Sequence, residues 1–159
     1  MARFHVLAIL LSSFLLSSCG FHLRGDLPLS HFPAMYIQSD RHSELAALIG
    51  ERLQYNKVQV LPSYQADAPV LQLLSDSLER RTLSLFPNGQ VAEYELIYKV
   101  RYTLTMPEGE AQPYQFELYR DYQDDPNQAL AKAKELELML GELRQQAANR
   151  IMRQLARMH

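Results

Sequence analysis

"QVAEYELIYKVRYTLTM", residues 90–106, is the stretch whose pattern decides the fold. Its even positions run Ala92, Tyr94, Leu96, Tyr98, Val100, Tyr102, Leu104 and Met106, all apolar or aromatic. Its odd positions include Glu93, Glu95, Lys99, Arg101, Thr103 and Thr105. Successive side chains of a strand point to opposite faces, so a period of two predicts a long strand with one dry and one wet face. Just before it, "FPNGQ" at 86–90 holds Asn88-Gly89, a pair suited to a tight hairpin turn. The hairpin partner is then "VLQLLSDSLERRTLSLF", residues 70–86, strand-like but unevenly patterned. After the next strand, "PEGEAQP" turns the chain, and "YQFELYRDYQ" at 114–123 alternates again through Tyr114, Phe116 and Leu118.

Outward from this hairpin the signals are shorter. "AMYIQS" at 34–39 is a strand candidate, and Asp40 is placed to cap a helix over 41–55. Leu45, Leu48, Ile49 and Leu53 mark one face of that helix. "KVQVLP" at 57–62 alternates and stops at proline, so it reads as another strand. At the C-terminal side, Asp124 or Asp125 precedes Pro126, an N-cap followed by proline at the first helical position. The helix that follows presents Leu130, Ala133, Leu136, Leu140, Leu143, Ala147, Ile151 and Leu155 on one face, with Arg150, Arg153 and Arg157 towards its end. The order expected is β-α-β-β-β-α, with the last three strands antiparallel. This is an α+β, two-layer α/β sandwich: two helices on one face of a mostly antiparallel four-stranded sheet. The other sheet face, with its mixed charge, should meet water or a polar partner surface.

The 159 residues suffice for one domain with a real core. A formal net charge of -2 gives no global basic field and so no reason to expect a nucleic-acid partner. The N-terminus is laid out as a secretory signal, with Arg3 before the apolar run "FHVLAILLSSFLL" at 4–16. That run is shorter than the roughly 20 residues a membrane-spanning helix requires. The expected organisation is a removed signal peptide at 1–18, a lipidated N-terminus and tether at 19–33, and a single domain at 34–159. "LSSC", residues 16–19, is similar to the lipobox of bacterial lipoproteins, and Cys19 is the only cysteine in the chain. The resemblance implies cleavage before Cys19, a thioether-linked diacylglycerol on its sulfur and acylation of the new amine, with palmitate for instance. More than one acyl chain is what stable anchoring requires. Gly20 stands where that family's inner-membrane retention signal is an aspartate, which implies the outer membrane.

No catalytic constellation is present: there is no G-x-S-x-G, P-loop or H-E-x-x-H, and the histidines show no metal-ligand spacing. An enzyme, a metal and a cofactor are therefore not expected. "SDSLERR" could suggest hydrolysis, but no histidine is near it, and a solvated strand is the simpler reading. Tyrosine is abundant, with three on one face of the 90–106 strand; such a row is ordinarily core, with hydroxyls reaching the rim, rather than a sugar-stacking surface. Arg80 and Arg81 near the hairpin, and Lys132 and Lys134 early in the last helix, are cations suited to phosphate, although any one of them singly is ordinarily a solvated charge.

Three stretches together carry a resemblance: "CGFHLRG" at 19–25, "FPNGQVAEYEL" at 86–96 and "DDPNQALAKAKELE" at 124–137. They are similar, in order, to the LptE family of lipopolysaccharide-assembly lipoproteins. The resemblance implies two helices on a four-stranded sheet, and an outer-membrane lipoprotein that plugs the β-barrel LptD from within its lumen and helps assemble it. It also implies binding of lipopolysaccharide during delivery to the outer leaflet. The family's lysine in "ALAK" matches Lys132. Its hairpin cation is replaced by Pro87, which leaves Arg80 or Arg81 to take over that contact. A different class of function, a lipid-anchored periplasmic module binding peptidoglycan or phospholipid without a barrel, is the alternative. The lipid is open to direct test. Cys19→Ala should leave the signal uncleaved and the protein without acyl chains, and mass spectrometry of the mature wild-type N-terminus should find a modified Cys19. An unmodified Cys19 in membrane-extracted protein would refute the anchor.

Overall fold

The computed structural model describes residues 27–158. The signal segment, Cys19, the "CGFHLRG" stretch and His159 lie outside the described residues. The elements are β1 (Ala34–Gln38), α1 (Glu44–Tyr55), β2 (Gln59–Leu61), β3 (Val70–Leu85), β4 (Val91–Thr105), β5 (Gln112–Gln123) and α2 (Ala129–Leu155), the last preceded by a 3-10 turn at Pro126–Gln128. One sheet takes all five strands in the order β2-β1-β3-β4-β5. β1 is parallel to both neighbours, and β3, β4 and β5 are antiparallel as expected. The sheet thus has five strands rather than four. All five stretches read as strands are present, and the four-strand count left one of them out; the "KVQVLP" segment forms the three-residue β2, which pairs through Ala34–Gln59 to Tyr36–Leu61 as a short parallel edge.

The alternation of β4 is realised from Leu96 to Leu104, apart from Ile97, which is buried on the other face. Leu96, Tyr98, Val100, Tyr102 and Leu104 are at most 3% exposed and face the helices. The uneven pattern of β3 has a concrete cause in a bulge at Leu74, where the register steps from Leu73 opposite Tyr102 to Ser75 opposite Arg101. One extra residue flips every later side chain to the other face. Before the bulge the odd positions Leu71 and Leu73 are buried. After it the even positions, Asp76, Leu78, Arg80 and Thr82, share the helix face with Val100, Tyr98, Leu96 and Tyr94. Leu74 itself is half exposed. In the hairpin turn Gly89 has φ +84, a left-handed conformation that glycine adopts without steric cost.

Both helices cover one face of the sheet, burying Leu45, Ile49 and Leu53 of α1 and Leu143, Ala147, Ile151 and Leu155 of α2. Each such Leu or Ile side chain contributes about 1.5–3 kcal/mol. Ser43, rather than Asp40, caps α1: its Oγ accepts the N–H of Ala46 at 3.1 Å. The Asp40 carbonyl instead accepts from the Ser43 N–H, so residues 40–43 are spent on a turn before the helix begins. On the C-terminal side Asp125 caps the 3-10 turn, its carboxylate accepting the Asn127 N–H at 2.9 Å, and α2 itself starts after Gln128 without a side-chain cap. The front of α2 is not core, and Leu130 is 87% exposed. Leu29 and Phe32, each 1% exposed, belong to the core, so the packed domain begins before Ala34, within the stretch read as tether. A hydrogen bond from the Leu27 N–H to Asn56 Oδ1 at 2.9 Å joins this stretch to the end of α1.

The polar contacts of the core sit at its rim. Tyr98, 1% exposed, donates its phenol to Asp76 at 2.5 Å. Burial, and then that carboxylate, holds the Tyr98 phenol far above its ordinary range. Burial also pushes Tyr102 up to about 12. Unfolded phenols ionise near pH 10, so the unfolded chain loses these protons first. The stability linked to both tyrosines is therefore complete below about pH 10 and falls as pH rises through the folded values. Denaturation midpoints measured by circular dichroism should decline above about pH 10, and Tyr102→Phe should make the decline shallower. A flat profile for wild type would contradict this account.

Candidate ligand site at the hairpin end

The sheet and α2 meet at the far end of the hairpin, one row beyond the apolar core. The row is Thr82, Tyr94 and Tyr122, set by the register of β3, β4 and β5. Tyr94 and Tyr122 are stacked with ring centroids 6.5 Å apart. The Arg80 guanidinium lies 5.7 Å from the Tyr94 centroid, and Lys132 Nζ lies 5.3 Å from the Tyr122 centroid. Cation, ring, ring and cation thus form a ladder, each cation facing the negative surface of an aromatic ring. The Tyr122 hydroxyl donates to the Lys132 carbonyl at 3.0 Å, pinning the start of α2 to β5. Burial and then the Asp124 carboxylate raise the Tyr122 phenol, with Glu135 adding to the rise and Lys132 and Arg80 pulling in the opposite direction.

Of the candidate site residues, then, Arg80 and Lys132 come together and Arg81 does not. The Leu74 bulge puts Arg81 on the opposite face, where its guanidinium meets Glu95 at 2.5 Å. Lys132 has a carboxylate of its own, Glu135, at 2.8 Å, and that hydrogen bond raises its ammonium above the ordinary lysine value. An i,i+3 pair at the surface is weak and readily exchanged for a stronger anion. Lys134 is exposed, and Pro87 sits in the exposed hairpin turn. Sequence reasoning found the two cations but not the ring stack between them, because the partners lie on three strands and a helix. Nor did it find that Leu83, Leu85 and Phe86 towards the hairpin tip and Leu130 in the first turn of α2 are each at least 40% exposed. Cations at an end that also exposes apolar side chains suit an amphipathic anion.

The outer sheet face is different in kind. Lys99 bridges Glu79 at 2.8 Å and Glu117 at 3.8 Å, Arg101 Nε donates to Ser75 Oγ at 3.0 Å, and Tyr119 donates to Glu117. This is a self-satisfied polar surface. Among the described residues no group of three or more His, Cys, Asp or Glu is arranged to hold a metal ion, and no helix is long and apolar enough to cross a membrane.

Comparison with known proteins decides the family. A model described as "LptE: Lipopolysaccharide-assembly" matches residues 32–155. The chain belongs to the LptE family. It is 37% identical to the LPS-assembly lipoprotein LptE of Photorhabdus laumondii, over 99% of this chain and 88% of that one. The LPS-assembly lipoprotein LptE of Yersinia pestis strain Pestoides F is 33% identical over 99% of this chain and 78% of its own. Among solved structures, the rare lipoprotein B of Shewanella oneidensis aligns at 50% identity and a TM-score of 0.71, covering 77% of this chain and 93% of that one. A lipoprotein B of Nitrosomonas europaea gives 26% and 0.69, with 86% and 90% covered. The LptE-family role is assembly in the cell envelope, not catalysis, and the α+β architecture is that of the family.

The ladder makes a structural prediction for this LptE-family chain. Tyr122→Phe removes one hydrogen bond to the helix start and should cost about 1 kcal/mol. Amide hydrogen exchange at 129–136 should accelerate more than exchange in the C-terminal half of α2. Uniform acceleration along the helix would mean that Tyr122 does not pin its start.

Proposed function

We propose that this chain is an outer-membrane lipoprotein, anchored through Cys19, that binds lipopolysaccharide at the Arg80–Lys132 end and plugs and helps assemble the LptD barrel. The ladder is the observation that carries the ligand. Lipopolysaccharide joins phosphates to acyl chains, and this end carries two positioned cations and the exposed apolar side chains of Leu83, Leu85, Phe86 and Leu130. Guanidinium and ammonium groups form strong charge-assisted bonds to phosphate, and a ligand phosphate would take the place of Glu135 at Lys132. Arg80 supplies the hairpin-side cation where the turn carries Pro87. The barrel partner is supported by the outer sheet face, whose charges are paired and whose strands carry polar side chains, a surface suited to the polar interior of a barrel.

Binding of purified protein to lipopolysaccharide tests the ligand. Lys132→Asp with Arg80→Asp should weaken it more than about tenfold, with an apparent melting temperature close to wild type. Arg81→Asp, on the other face, should leave affinity within about twofold, as befits an exposed pair. Wild-type binding by the double variant would remove the ladder from the reading. Co-purification from outer membranes through a C-terminal tag tests the partner: a stoichiometric barrel supports the plug. A small envelope ligand without a barrel would favour a lipid-anchored binding module instead.

A further inference from the structure

The second half of α2 carries charges that the hairpin-end site does not use. Arg150, Arg153 and Arg157 line one groove of about 420 Å³ between α2 and the β5 edge, with Gln146, Asn149 and Leu118. Among the described residues no carboxylate lies within 4.0 Å of any of the three guanidiniums. The helix dipole favours cations at Arg153 and Arg157, near the end of α2 at Leu155. It does not reach Arg150, more than a turn earlier, and it gives no reason for three like charges to share a groove. Like charges three and four residues apart repel one another along a helix. An anion in the groove reverses that repulsion.

The groove is also built to donate. The Arg150 guanidinium stacks over the Phe116 ring, its Cζ 4.6 Å from the centroid, which fixes the plane of its N–H fork. Asn149 Oδ1 accepts from Arg52 Nε at 2.8 Å, so the amide nitrogen of Asn149 remains as a donor. Three guanidiniums, a side-chain amide and no acid match a tetrahedral oxyanion better than a single carboxylate, because they offer more forked donors than two oxygens can use. Along α2, Arg150 lies about 27 Å from Lys132 at 1.5 Å per residue, too far for one phosphate to bridge. We propose that this groove is a second, separate phosphate-binding site, which takes the phosphate of a membrane-lipid headgroup.

The headgroup source follows from position. Arg153 also lines a neighbouring hollow with Leu27, Tyr55 and Met152, so the groove adjoins the first described residue of the chain. Eight residue steps separate Cys19 from Leu27, a reach of at most about 28 Å. A lipid on Cys19 therefore holds Leu27 within that distance of a phosphate-bearing surface and the adjoining groove close to it, where the surface field favours basic side chains. This choice of source rests on the anchor proposed above; the phosphate site does not.

The test uses the mature lipoprotein and an arginine-directed dicarbonyl reagent, with modification of each arginine and the lipid on Cys19 read by peptide mass spectrometry. One arm adds inorganic phosphate in detergent. The other reconstitutes the protein in phosphatidylcholine vesicles with or without phosphatidic acid. Arg150, Arg153 and Arg157 should be protected at least about fivefold relative to the exposed Arg41 and Arg101, as expected for charge-assisted bonds. Protection in phosphatidic acid vesicles assigns the headgroup; protection by free phosphate alone keeps the site and overturns that source. Arg150→Gln should re-expose Arg153 and Arg157, whereas Lys132→Gln should change nothing here. Equal labelling in all conditions, protection shared by Arg41 and Arg101, or independence of Arg153 and Arg157 from Arg150 would overturn the site. An unmodified Cys19 with protection by phosphate would sink the anchor and leave the groove standing.

Discussion

The pairing of β3 with β4, whose register shifts at Leu74 and again near the hairpin tip at Thr82–Leu85, is the constraint on which the rest of the molecule depends. From Val70 opposite Thr105 to Leu85 opposite Val91 the two strands share nearly their whole length. Without the extra residue, the side chains beyond Leu74 would change faces. Asp76 would leave Tyr98, Leu78 would face outwards, and Arg81 rather than Arg80 would turn towards α2. A strand with strict alternation would present the wrong charge to Tyr94. The bulge therefore sets both the packing of the far core and the identity of the cation beside Tyr94.

That dependence explains what was legible in the sequence. β4 was legible because nearly all of its residues obey one local rule, with Ile97 the exception in its middle, and so were the hairpin turn at Asn88-Gly89 and the cap at Asp125. The uneven pattern of residues 70–86 was visible, but its meaning was not, since a bulge is defined by a partner strand. The strand at β2 was legible from the alternation of "KVQVLP", although the four-strand count left one of the five strand stretches out, and only its last residues pair as a short edge. Asp40 and Ser43 both had capping chemistry, and the turn at 40–43 chose between them. Lys132 and Arg80 were readable as cations and, through the family resemblance, as ligand contacts. Their shared neighbourhood was not, because Tyr94 and Tyr122 join them across strands and only the register brings those rings together.

The two faces of the sheet divide the work between them. On the helix face, charge appears where the apolar rows end: at Arg80 and Lys132 at the hairpin end, and at Arg150 over Phe116 beside the β5 edge. On the outer face, opposite charges lie side by side, with Glu79, Lys99 and Glu117 in one cross-strand set. Exposed pairs of this kind add little to stability. They lower the attraction of that face for lipid and leave it ready for a polar surface.

Leu29 and Phe32 give the molecule a mechanical property. They are buried, and the Leu27 N–H is held by Asn56, so the chain is gripped before the first strand begins. A pull from the N-terminal side is not delivered to the end of β1, where it could peel a strand from the sheet one hydrogen bond at a time. It meets two apolar side chains that must leave the core together, beside the end of α1. Load is thereby spread over packing rather than concentrated on a single ladder bond, and the domain resists tugging from that side as a block.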